Sequence, residues 1–206
     1  MVEVLISMTV LVLVVMAASN LLVSSIRANA SNINTLVAYG LAQEGLEAVR
    51  NIRDSDWLLG ASFSGTVGKN KNAVWGIELP SVIGNTLYYT VDFQQPSKMT
   101  GINSLNISSA APWKLESLKP EDLKKGILTR LYKKENRVLK EIYYTHDATR
   151  GKVTPFRRFI MVSPVEYPLC GSRCVKKFRV ASTVEWEEFG RTRQVRLDSE
   201  LTDWKE

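Results

Sequence analysis

The chain has 206 residues, a net charge of +6 and 45% hydrophobic residues, a size that suits one anchoring segment plus one modest domain. A single histidine and two cysteines leave too few of the usual ligands for a four-ligand zinc site, and no nucleophile–base pair is legible. Neither a G-x-S-x-G, a P-loop nor a G-x-G-x-x-G pattern occurs, so neither an enzyme nor a resident cofactor is expected.

Residues 1–26 form one apolar run, MVEVLISMTVLVLVVMAASNLLVSSI, without Pro or Gly. A bilayer core takes about 20 such residues as a helix. A signal peptide would show a basic start and a shorter apolar stretch, so a retained anchor is expected. Glu3 is the only charge in the run. A carboxylate at the centre of such a helix costs roughly 2.5–3.5 kcal/mol, less near an end, and needs a partner to offset it.

Helical spacing continues through residues 27–56. Ile33, Val37, Ala38, Ala42, Leu46 and Val49 make an apolar stripe, with Arg27, Asn32, Gln43, Glu44, Glu47 and Arg50 largely beside or away from it. Gly40 and Gly45 each weaken the helix by about 1 kcal/mol. Asp54, Ser55 and Asp56 mark its stop. The expectation is one helix of about 50 residues, membrane-spanning in its first half and amphipathic in its second.

Residues 57–206 read as a β-rich domain. After a polar loop at 60–72, NAVWGIEL (72–79) and TLYYTVDFQ (86–94) alternate like half-buried strands. Residues 95–120 read as a polar loop, and Pro120 can open a short helix. Strands resume in GILTRLYKK, RVLKEIYYT and FRRFIMVSPVEY, and KKFRVASTVEWEE, Phe189-Gly190 and RTRQVRLDSELTDW form a closing hairpin. His146 reads as an exposed loop residue, and Glu185, Glu187 and Glu188 as a solvated hairpin tip.

Between residues 121 and 180 there are 15 Lys and Arg against 6 Asp and Glu, a balance of +9. Lys133, Lys134, Arg137, Arg157, Arg158, Lys176 and Lys177 are therefore candidate contacts to DNA or another anion, against the plainer reading of a solvated basic surface. Cys170 and Cys174 are a disulfide candidate if the domain lies outside the cytoplasm, with half a zinc site as the alternative. Asn29-Ala30-Ser31 and Asn106-Ile107-Ser108 match the glycosylation triplet, a pattern common by chance.

MVEVLISMTVLVLVVMAASNLL resembles the N-terminal helix of type IV pilins and type II secretion pseudopilins, and the closing hairpin is similar to that of some minor pilins. In that family a leader ending in Gly precedes a segment F-x-L-[VI]-E-[VL]-[LM], with Glu fifth in the mature chain. Val2-Glu3-Val4-Leu5-Ile6 matches the residues around that Glu. Met1 then stands third, and the leader, its Gly and two mature residues are expected upstream.

The resemblance implies a pilin-like α+β fold, the long helix packed on an antiparallel sheet. It implies that Glu3 pairs with the terminal amine of a neighbouring subunit. It further implies a single-pass inner-membrane protein with its C-terminal domain outside, whose partners are membrane lipid, an assembly platform and other pilin-like subunits in a filament. A DNA-uptake pilin and an ordinary anchored adhesin or receptor are the alternatives.

Overall fold

A computed structural model describes residues 2–58, 86–93, 113–126, 128–136, 141–149, 151–165 and 177–202. The strand expected at 72–79, the 60–72 loop, the Cys170–Cys174 pair, Arg137, Lys176 and the triplet at Asn106 lie outside these residues. The chain divides into two compact units, Met1–Val37 and Ala38–Glu206.

The first unit is helical throughout its described residues, being part of α1 (Val2–Leu58). Its large apolar side chains from Val2 to Leu36 are uncovered, from 46% exposed at Val23 to 73% at Leu21. Four of its hydroxyls turn inward on the helix. Ser7, Ser19 and Thr35 each donate at 2.8 Å to the carbonyl four residues earlier, and Thr9 to that of Ile6. Such bonds satisfy the hydroxyls without water, which a lipid environment requires.

Among the described residues the second unit holds the rest of α1, the short helix α2 (Pro120–Lys125) and seven strands: β1 (Leu87–Phe93), β2 (Trp113–Leu118), β3 (Arg130–Asn136), β4 (Glu141–Thr145), β5 (Lys152–Val165), β6 (Lys177–Glu188) and β7 (Arg191–Thr202). All pairings are antiparallel. The architecture is α+β, with the helix laid on one face of the sheet. Leu46, Ala48, Val49 and Ile52 of α1 pack with Tyr89, Val91, Leu115, Ile160, Val162, Phe178, Val180 and Leu201 in one core.

Strand β5 organises the sheet. Along one side it pairs with β6 over ten positions, Phe156 to Val165. Along the other it pairs first with β3, at Lys152, Val153 and Arg157, and then with β1, at Ile160 to Val162. Between Arg157 and Ile160 neither neighbour supplies a regular ladder. Arg158 bridges that gap, its N–H donating to Thr129 O at 2.8 Å.

The closing hairpin has unbroken register from Lys177↔Thr202 to Glu188↔Arg191. Its two-residue turn puts Phe189 at φ 49° and Gly190 at φ 72°. Two positive φ values match the twist of the flanking strands, and Phe is a costly choice for the first of them. The short helix begins at Pro120 as expected and ends at Gly126, whose φ of 65° is the usual left-handed stop.

Two expectations need correction here. The polar stretch 95–120 contains a strand, β2, paired with β1 from Tyr88↔Leu118 to Phe93↔Trp113. Trp113 and Leu115 alternate with the more polar Lys114 and Glu116, a short signal diluted by the surrounding Ser, Asn and Pro residues. The buried helical stripe starts at Ala38 rather than Ile33, which is 61% exposed, and runs through Leu41, Ala42, Leu46, Ala48, Val49 and Ile52. Periodicity finds an apolar face but does not say where its cover begins.

Candidate functional sites: an uncovered apolar helix and a buried ionic junction

In the first unit Glu3 is exposed in the first turn of α1 and its carbonyl accepts from Ser7. It stands among exposed Val2, Val4, Leu5 and Ile6. Among the described residues there is one helix long and apolar enough to cross a membrane, and it begins here.

The second unit contains a polar junction under α1. Arg158 lies on the helix-facing side of β5, in the alternating series Phe156, Arg158, Ile160 and Val162, and is fully buried. Its Nη1 donates to Glu44 Oε1 at 2.9 Å and to Leu41 O at 3.2 Å; its Nη2 donates to Val91 O at 2.9 Å. One guanidinium thus ties the helix to β1 and β5. Glu44 is the partner that makes its burial tolerable, because an unpaired buried cation is expensive.

His146, just after β4, completes the same junction. Its backbone N–H donates to Asp92 Oδ1 at 2.8 Å, its Nδ1 lies 3.0 Å from that oxygen, and its Nε2 lies 3.2 Å from Arg158 O. The ring therefore occupies the gap where β5 passes from β3 to β1. Burial pushes the Asp92 carboxyl up, but its hydrogen bonds to His146 and Thr145 and its electrostatic attraction to His146 outweigh that. The net result is a pKa below the ordinary 3.8. Beside it, Asp147 bonds Lys134 and Thr149, chiefly Lys134, and these hold its carboxyl well below the carboxylate range.

His146 is thus not an exposed loop residue: its side chain is 6% exposed. Nor is Glu188 solvated. It is buried at the hairpin, 3.2 Å from Arg193, because the tight turn sets the two strand ends opposite each other. Of the basic candidates, Lys133 is exposed, while Lys134, Arg157 and Lys177 reach Asp147, Glu187 and Glu200 at 2.6, 3.6 and 3.6 Å. Arg158 cannot face an external anion, since it is enclosed between helix and sheet. Lysines and arginines crowd this segment in sequence, but among the described residues the fold neutralises much of that charge locally.

Sequence reasoning missed Glu44 and Asp92. A charge inside an alternating apolar series, as Arg158 is in FRRFIMV and Asp92 in LYYTVDF, was the available signal. No group of three or more His, Cys, Asp or Glu residues suited to a metal occurs among the described residues. No family model, curated protein or solved structure matches the chain.

Proposed function

We propose that this protein is a structural subunit, a minor pilin or pseudopilin, of a type IV pilus-like filament. One observation carries the reading. Helix α1 leaves large apolar side chains uncovered all along residues 2–26, with Glu3 the only charge, while its later residues are committed to an antiparallel sheet. An apolar surface this large is stable in lipid or against similar helices, not in water.

In this reading the subunit waits in the inner membrane with residues 38–206 outside. An assembly platform then draws it into a filament whose centre is packed N-terminal helices. Glu3 meets the terminal amine of a neighbouring copy and sets register, an opposite charge supplied by assembly itself.

The test is incorporation into sheared filaments in a host lacking the native chain. Glu3→Lys is expected to lower incorporation at least tenfold while the protein still accumulates in the membrane. Wild-type incorporation of Glu3→Lys would overturn the proposal and leave a single-pass anchor, for which Glu3 needs no charged partner.

A further inference from the structure

We propose that the end of the second unit carrying the hairpin turn lies on the surface of an anionic bilayer, with Phe189 and Val153 in the headgroup layer and Lys133, Lys152 and Arg191 on lipid phosphates. The proposal rests on α1 being a membrane anchor and not on its entering a filament.

The course of α1 over the sheet fixes which end this is. Leu41 meets Arg158, which stands opposite Val184. Gly45 meets Ile160 and Ser182, and Arg50 meets Ser199, which stands opposite Val180. The helix therefore enters over the side of the hairpin turn and runs toward Lys177 and Thr202. From Ile26, where the apolar run ends, to Leu41 is about 22 Å of helix. The arms of the hairpin are about 40 Å long. The turn end, not the far end of the arms, is thus the one nearest the tether.

This end is apolar at its tip. Phe189 at the turn and Val153 at the start of β5 are each 64% exposed. The β5–β6 ladder stops at Phe156↔Trp186, and its register carried on sets Val153 level with Phe189. Phe189 also has φ 49°, a position that Asn or Gly fills at less cost. The turn keeps an aromatic ring outward against backbone strain, as functional positions do. Exposed apolar groups rimmed by charge mark protein or membrane contacts.

The rim is basic. Lys133 and Lys152 are exposed and directly opposite each other across β3 and β5, a like-charge pairing that destabilises a sheet left in water. Arg191 is exposed beside the turn. Asp147, Glu187 and Glu188 are held by Lys134, Arg157 and Arg193. Among the described residues this leaves three cations against Glu135, a balance that anionic headgroups attract and a neutral surface does not.

The test uses the full chain in phosphatidylglycerol vesicles, with the photoreactive residue p-benzoylphenylalanine in place of Phe189, Val153, Glu200 or Val14. Lipid adducts at positions 189 and 153 should exceed those at position 200, near the far end of β7, at least about tenfold. Position 14, inside the apolar run, reports the anchor. Lys133→Glu, Lys152→Glu and Arg191→Glu together should lower adducts at 189 at least about fivefold and leave those at 14 unchanged. The inference is overturned if 189 and 153 label lipid no better than 200, if they label a second copy of the chain instead, or if charge reversal changes nothing, each while 14 still labels. Loss of labelling at 14 removes the anchor itself and the inference with it. If the replacement at 189 does not fold, position 153 decides.

Discussion

Arg158 and Glu44 differ in how each tolerates losing the other. Arg158 is fully buried, whereas the Glu44 side chain is 34% exposed and can be hydrated. Glu44→Ala is therefore expected to cost about 2–3 kcal/mol, since it strands a cation, and Arg158→Met about 1 kcal/mol, since an apolar chain of similar length fills the site. Adding Arg158→Met to Glu44→Ala should recover part of the loss, as chemical denaturation would show. Asp92 adds a second prediction. Its folded pKa lies below the ordinary 3.8, so its contribution is present above that value and lost as pH falls through the folded one. Asp92→Asn should flatten stability measured from pH 5 to pH 3. Arg158 could be placed on the inner face by alternation alone. Nothing local in AQEGLEAV marks Glu44 as its partner, because the two stand 114 residues apart.

At the scale of elements, the two glycines of α1 have opposite meanings. A Cβ on Gly40 meets nothing within 4 Å, so Gly40→Ala should stabilise by about 0.5–1 kcal/mol through helix propensity. A Cβ on Gly45 would sit 2.5 Å from Ser182 Oγ and 2.9 Å from Ile160 Cδ1. Gly45→Ala should lose about 1 kcal/mol net, the overpacking exceeding the propensity gain. Thermal unfolding of the pair checks the contrast. Propensity treats both glycines as equal defects; contact with β5 and β6 separates them. The closing hairpin was legible because twelve paired residues on each arm carry sustained alternation around a two-residue turn. Strand β2 was not, because its six residues sit in polar sequence and gain their strand character from pairing with β1.

For the whole molecule, the uncovered helix predicts behaviour independent of any filament. The full chain should stay with membranes through alkaline carbonate washing. Val14→Arg, near the middle of the apolar run, should cost roughly 2.5–3.5 kcal/mol of insertion and shift the chain toward the soluble or degraded fraction. Cell fractionation reads the outcome.

The sequence by itself determined the apolar segment with its lone Glu3, the helix that continues beyond it, the closing hairpin and the β-rich character of the C-terminal domain. Each is written in local composition or in a period of two or 3.6 residues. Tertiary structure alone decided that the stripe is covered from Ala38, that Gly45 is a close approach, and that Arg158 and His146 are internal. Those depend on residues far apart in the chain meeting: Gly45 against Ile160 and Ser182, Arg158 with Glu44, and His146 with Asp92 and the Arg158 carbonyl at the gap in β5.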